Sequence, residues 1–255
     1  IGDSDAFLSA PVHSSVSGTV TAIEDFTSPG GQVCKSVVIT TDKLQTVCPD
    51  IAPPVVNSRE DLIKAARACG LVGLGGAGFP THIKLNPKNL DQVDTLVVNG
   101  AECEPFITCD MRLMLERTDS IVEGIRVVMK YLNLKTCVIG VEDNKPEAIA
   151  ALNQAVSGMK NVSVLAMKAL YPKGAEKVII YEATGRVVEE GKLPADAGVI
   201  AMNVATISKL ADFLKTGMPL VEKMLTVDGG SVAEPKNIIA PIGTPIKDMV
   251  EFCGG

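Results

Sequence analysis

The 255 residues, 46% hydrophobic and 21% charged, are enough for two or three packed domains of ordinary composition. A net charge of −6 and the absence of tryptophan argue against a nucleic-acid binder, which needs a basic face or stacking aromatics. The seven cysteines form no C-x-x-C pair, so neither a disulfide framework nor a self-contained zinc or iron–sulfur site is indicated; reduced thiols of a cytosolic protein are the reading.

Along the chain, residues 16–23 alternate apolar and polar side chains with the period of a half-buried strand. Pro29, Gly30 and Gly31 make a turn, and the β-branched run 37–40 makes a second strand. The proline-bearing stretch 50–55 reads as a linker. From about 58 to 216 strands alternate with helices, which predicts a layered α/β domain. Helices are expected at 59–68, between Ser58 as cap and Gly70 as stop, and over 110–132 with a break near 118–120. Further helices are expected at 146–152 with Pro146 in the first turn, at 174–184 closed by Gly185, and at 204–215 ended by Gly217. Strands are expected at 94–98, 136–141, 162–166 and 198–203. Beyond Met218 the pattern becomes that of a small α+β module, with a hairpin at 225–232 turning at Asp228 and Gly229 and a short helix from Lys247. No apolar run approaches the roughly 18 residues of a membrane-crossing helix, and there is no signal-peptide pattern. Starting at Ile1 without methionine and stopping at Gly254 and Gly255, the chain reads as a piece of a longer protein.

Residues 73–84, GLGGAGFPTHIK, carry the densest chemical signal. Gly73, Gly75, Gly76 and Gly78 leave a backbone with few Cβ atoms, whose amides can lie against an anion. Lys84 adds a mobile cation and Phe79 an aromatic face. A phosphate joined to a flat ring is the ligand this combination suggests; a plain structural turn is the other reading. Gly73, Gly75 and Gly78 do satisfy G-x-G-x-x-G, but that fingerprint requires a strand before it and a helix after it. Here a helix precedes, and proline at 80 pushes Phe79 out of the helical region, so the regular Rossmann reading fails.

Ligands of open α/β sheets sit beyond the carboxyl ends of the strands. The strand ending near Asn99 delivers Glu102 and Glu104 to that edge, and the one ending at Asn203 delivers Thr206. Carboxylates suit ribose hydroxyls, whereas asparagine and threonine suit ring edges and ribityl hydroxyls. Plainer roles stand beside these: Asn203 as cap of the next helix, Glu102 and Glu104 as members of a solvated loop, Asp110 as a helix cap and His82 as an ordinary loop residue. His13 and His82 have no base-and-nucleophile grouping, so no catalytic side chain and no metal ligand is assigned.

Four motifs in this order, GLGGAGFPT at 73–81, NGAECEP at 99–105, YPKGAE at 171–176 and NVAT at 203–206, resemble the FMN- and NADH-binding subunit of respiratory complex I. APVHSSVSGTV at 10–20 sharpens the likeness to the RnfC family, the C subunits of Rnf ion-translocating ferredoxin:NAD oxidoreductase complexes. This resemblance implies a β-rich segment of a lipoyl-like hybrid barrel with a linker over 1–57, a Rossmann-like flavin and NADH domain over 58–216, and the start of a soluble-ligand-binding β-grasp domain over 217–255. It implies FMN contacts at Gly73, Gly75, Gly76, Gly78, Lys84, Asn99, Glu102, Tyr171, Gly174, Asn203 and Thr206, and NAD(H) as substrate near Phe79, Glu104 and Glu176. It further implies hydride exchange between NAD(H) and flavin N5, then single-electron exchange with two [4Fe-4S] clusters held by cysteine motifs that this chain does not contain. The partners implied are the other subunits of the Rnf membrane complex and, indirectly, ferredoxin, with a peripheral place at the cytoplasmic face of the bacterial membrane. The chain departs from the complex I pattern at Leu74, where an arginine is found, at Ala101 and Ala175, where acids are found, and at Leu85 and Asn86, where an aromatic follows the lysine. These departures leave a second reading, a docking module of the same fold that has lost flavin. A biotin or lipoate carrier is disfavoured, because the hairpin tip at 17–19 has no lysine.

Overall fold

A computed structural model describes residues 1–28 and 30–255 of the protein. Strands β1 (Gly18–Thr27) and β2 (Val33–Thr41) pair as an antiparallel hairpin. The alternation in β1 does not produce a half-buried strand: Val20, Ile23 and Phe26 are exposed, because no other layer covers the hairpin among the described residues. Of the turn expected between these strands, Pro29 lies outside the described residues; Gly31 N donates to Ser28 O at 2.8 Å. The stretch 50–55 has no regular structure, as a linker should.

The chain then builds one α/β unit. Its elements are α1 (Arg59–Ala68), α2 (Thr81–Lys84), β3 (Thr95–Gly100), α3 (Cys109–Glu116), α4 (Thr118–Leu132), β4 (Thr136–Glu142), α5 (Pro146–Val156), β5 (Val162–Met167), α6 (Glu176–Thr184), β6 (Val199–Asn203) and α7 (Val204–Thr216). Ser58 and Asp61 close a reciprocal capping box at α1, and glycines in the left-handed region end α6 and α7 at Gly185 and Gly217. The one-turn α2 follows Pro80 directly, so His82 sits on a helix rather than in a loop.

The four strands are parallel, in the order β5-β4-β3-β6. Being covered on both faces, β3 is a continuous apolar run rather than an alternating one. Leu96 and Val98 enter the larger core with side chains of α1, α4, α5 and α7, whereas Val97 enters a smaller core with Ile179 and Ile180 of α6. Helices α4 and α7 approach closely at Gly124, where a Cβ would lie 2.4 Å from Ile207 O. The chain runs outward from β3 to β4 and β5, then returns through α6 to place β6 on the other side of β3. That reversal makes the β3–β6 boundary the topological switch point of the sheet.

After α7, β7 (Glu222–Val227) and β8 (Lys236–Pro241) form a second antiparallel hairpin, followed by α8 (Ile246–Phe252). The expected tight turn at Asp228 and Gly229 is instead a loop over 228–235, and the returning strand starts at Lys236. Glu234 N donates to Cys253 O at 2.9 Å, so the loop is drawn toward the end of α8 rather than folding straight back. Among the described residues no helix is long and apolar enough to cross a membrane.

Candidate functional site

Two asparagines face each other at the switch point. Asn99, next to last in β3, is the register partner of Asn203, the last residue of β6. Asn99 Nδ2 donates to Gly174 O at 2.8 Å and its Oδ1 accepts from Ala101 N at 3.0 Å, so this side chain shapes its own loop and anchors the one before α6. Asn203 caps α7, its Oδ1 accepting from Ala205 N at 2.8 Å, and its Nδ2 donates to Asp110 Oδ2 at 2.6 Å. The capping role expected of Asn203 is therefore real, and it leaves the other end of the amide for a partner on α3.

The glycine loop is fastened onto this pair. Leu74 N donates to Thr206 Oγ1 in the first turn of α7 at 3.0 Å, and Gly73 N to Phe79 O at 2.9 Å. At Gly75 a Cβ would stand 2.6 Å from Asn203 Nδ2, so only glycine permits the approach. A Cβ at Gly174 would lie 2.6 Å from Ala101 O, and Gly174 N donates to Cys103 Sγ at 3.3 Å. These contacts join the loop over 73–79, the tips of β3 and β6, and the loop over 171–176 into one continuous cradle. At Gly76 and Gly78, by contrast, a Cβ would meet nothing within 4 Å. The amides of Gly75, Gly76, Ala77 and Gly78 donate to no acceptor among the described residues, and Gly75, Gly76 and Ala77 are exposed. Four unclaimed amides on an open glycine face are the donor set an anion needs. Lys84, at the end of α2, is ion-paired with Glu176 at the start of α6, which brings one expected flavin contact and one expected NAD(H) contact together.

Other expected residues are placed differently. The Glu102 carboxylate accepts from Asp110 N at 2.8 Å and from Met111 N at 3.1 Å, so it caps α3, and the half-buried residue also lines the cleft beyond the strand ends. Asp110 is consequently not the cap. Glu104 and Tyr171, both exposed, line a cleft of about 410 Å³ with Pro105, Phe106 and Leu170, beyond the ends of β3, β4 and β5. Phe79 and Glu176 do not line that cleft.

Three features of the site escaped the sequence reading. Cys103, inside the NGAECEP motif, braces Gly174. Glu142 and Lys145 form a buried ion pair at 2.8 Å, and Lys145 Nζ also donates to Glu102 O at 3.3 Å, steadying the loop after β3. The strand-end rule applied to β4 would have found Glu142. Asp110 is half-buried, but its carboxylate is enclosed. Desolvation pushes its carboxyl up to about 6, against the hydrogen bond from Asn203; the charge of Glu102 adds to the rise, while Lys223 and Lys145 oppose it. Burial likewise pushes the Cys109 thiol up to about 11, helped by Asp110 and Glu102. All seven cysteines are free; Cys34 and Cys48 are exposed and Cys69, Cys137 and Cys253 buried.

Comparison with known proteins agrees with this geometry. Residues 66–212 match the family model of the Nuo51 FMN-binding domain, and residues 1–44 that of the RnfC barrel sandwich hybrid domain. The chain is 44% identical, over its whole length, to the C subunit of the proton-translocating ferredoxin:NAD(+) oxidoreductase complex of Clostridium ljungdahlii. It belongs to the RnfC family. It is 43% identical over its whole length to the C subunit of the Na(+)-translocating ferredoxin:NAD(+) oxidoreductase complex of Acetobacterium woodii, and 40% identical over 98% of its length to the C subunit of the ion-translocating oxidoreductase complex of Pseudomonas aeruginosa. The chain spans 56%, 58% and 33% of the lengths of these three RnfC relatives. Among solved structures, the NAD+-reducing [NiFe]-hydrogenase in its air-oxidized state shares the fold, with a TM-score of 0.66 at 21% identity over 79% of this chain and 40% of that one.

Proposed function

We propose that this chain is the flavin- and NAD(H)-binding portion of the C subunit of an Rnf-type ion-translocating ferredoxin:NAD oxidoreductase complex. The observation that carries the reading is the convergence of Gly75, Asn99 and Asn203 at the switch point, beside four unclaimed glycine-loop amides. The donor set fits FMN: the amides over 75–78 and Lys84 suit the phosphate, and Asn99, Asn203, Thr206, Gly174 and Tyr171 are assigned to the ribityl chain and ring. Glu102 is assigned to FMN as well, and its carboxylate also ties this cradle to α3. A bound flavin would supply hydride acceptance from NAD(H) and one-electron release, while the chain's residues supply orientation and electrostatics. Phe79, Glu104 and Glu176 are assigned to NAD(H); Glu176 meets Lys84 directly, so nucleotide and flavin phosphate would compete for one ion pair.

The family models, matched over 1–44 and 66–212, support the first two parts of a division into a β-rich segment and linker over 1–57, the flavin domain over 58–216, and a β-grasp module starting at 217. The names of the relatives support other subunits of an ion-translocating complex as partners and ferredoxin as an indirect one; iron–sulfur clusters in the longer protein and a peripheral position at the cytoplasmic face of the membrane are part of the same proposal. The alternative is a docking module without flavin, favoured by Ala101 and Ala175 at positions where acids stand in complex I. Titration with FMN followed by visible spectroscopy separates the two. Flavin binding and NADH-dependent bleaching are expected, with binding lost in Gly75→Ala. No spectral or thermal shift after reconstitution would establish the docking module.

A further inference from the structure

The carboxylate of Asp110 is the group at the switch point that capping and packing leave unexplained. It stands in the first turn of α3, yet its Oδ2 accepts from Asn203 Nδ2 at 2.6 Å across the site rather than from its own helix. Glu102 serves the α3 amides instead, from the preceding loop. Side-chain ligand atoms of Glu102, Cys109 and Asp110 therefore crowd within 4.8 Å of one another. Two carboxylates so close in a partly desolvated place oppose each other's charge. Folding alone does not require this, because an amide at 110 could accept the same hydrogen bond.

An ionised carboxylate reinforces which end of Asn203 points where, beside Ala205 N, which can only donate to Oδ1, and Asn99 O, which can only accept from Nδ2, here at 3.5 Å. An amide side chain has a donor end and an acceptor end. The start of α7 takes Oδ1 through Ala205 N, and Asp110, which when ionised can only accept, takes Nδ2. Held from both ends, the Asn203 amide forms the surface on which Gly75 packs. We propose that Asp110 is a positioning residue of the flavin cradle, locking the Asn203 amide as the platform that sets the glycine-loop amides for the ligand. This rests on the flavin reading and goes beyond it.

The lock responds to protons. The groups facing Asp110 are Glu102 on the loop after β3, Cys109 on its own helix, Lys145 ahead of α5 and Lys223 on β7. The two lysines favour the ionised form, while Glu102 and enclosure oppose it, so the carboxyl exchanges its proton near pH 6. Once protonated it has an O–H donor and no longer reinforces the orientation of Asn203 that Ala205 N and Asn99 O favour.

The test uses the full-length protein, FMN as the probe, and the Asp110→Asn and Asp110→Ala variants between pH 5 and 8. At pH 7.5 Asp110→Ala should bind FMN at least about tenfold more weakly than wild type, and Asp110→Asn about three- to tenfold more weakly, the range for exchanging a charge-assisted hydrogen bond for a neutral one. Asp110→Asn should unfold at no lower a temperature than wild type, a result that a purely structural role would not give. At pH 5 the wild-type advantage over Asp110→Asn should shrink to within about twofold; the phosphate of FMN itself ionises near pH 6, but equally for both proteins. In FMN-free protein the ¹H–¹⁵N resonance of the Asn203 side-chain amide should titrate with a midpoint near pH 6 in wild type and stay flat in Asp110→Asn. Equal FMN affinities at pH 7.5, a flat Asn203 resonance in wild type, or a stability loss in Asp110→Asn would each overturn the proposal while leaving the flavin site standing. Wild type that binds no FMN at any pH overturns the flavin reading and this proposal together.

Discussion

The central sheet and the β1–β2 hairpin are built from similar residues and meet different fates. Leu96, Val97 and Val98 of β3 are fully buried, whereas Val20 and Ile23 of β1 are 53% and 69% exposed. β-Branched strands form readily in both places, but burial requires a second layer, and only the sheet has helices on its two faces. The difference teaches why the site lies where it does. Strand tips rooted in a packed core can hold Asn99 and Asn203 in fixed register, which an uncovered two-stranded ribbon cannot do.

The contrast is sharpest where charge is buried. Replacing Glu142 by alanine leaves Lys145 without its partner inside the sheet edge, and the loss should be about 3–5 kcal/mol in urea unfolding. A cost below about 1 kcal/mol would mean that water reaches Lys145, and the edge would then be no more rigid than the hairpin. Next in size, Leu96→Ala should cost about 2–5 kcal/mol, against less than about 0.5 kcal/mol for Ile23→Ala. Equal costs for the two would show that a covering layer protects β1 in solution.

A pH effect of intermediate size belongs to the site alone. The folded carboxyl of Asp110 is raised from 3.8 to about 6, so the folded state holds the proton more tightly. Its contribution is therefore fully present below pH ~4 and is lost as pH rises through 6, by about 3 kcal/mol in all. Urea unfolding of Asp110→Asn and wild type should match near pH 4 and diverge in favour of the variant by pH 7.5; parallel profiles would mean the carboxylate is solvated. The smallest effect is expected where the second hairpin meets the site. Thr226 Oγ1 accepts from Thr108 N at 3.0 Å and donates to Asn237 Oδ1 at 2.7 Å, so Thr226→Val should lower stability by about 1 kcal/mol in thermal unfolding. No change would mean that β7–β8 docks on α3 without these bonds.

Much of this was legible in the residue order. The strand and helix alternation over 58–216 rests on short-range periodicity, and it reappears in the structure with most ends moved by a residue or two, while α5 runs four residues further, to Val156. The four motifs were also local, so the glycine loop, Asn99, Gly174 and Asn203 could be named together before any contact was known. Less visible was the last hairpin, where the Asp228–Gly229 signal was overridden by a longer loop tied to Cys253. The role of Glu102 was hidden for a similar reason. A carboxylate two residues past a strand gives no local sign that the start of α3 folds back onto it.

Sequence alone thus determined the family, the α/β class and the set of groups at the strand tips, because each depends on patterns within a few residues. Tertiary structure alone decided which of those groups remain available to a ligand. The side chains of Glu102 and Asn203 are taken up by partners 8 and 93 residues away, while the amides over 75–78 stay unclaimed. Which groups are already engaged inside the protein depends on packing that no local pattern records.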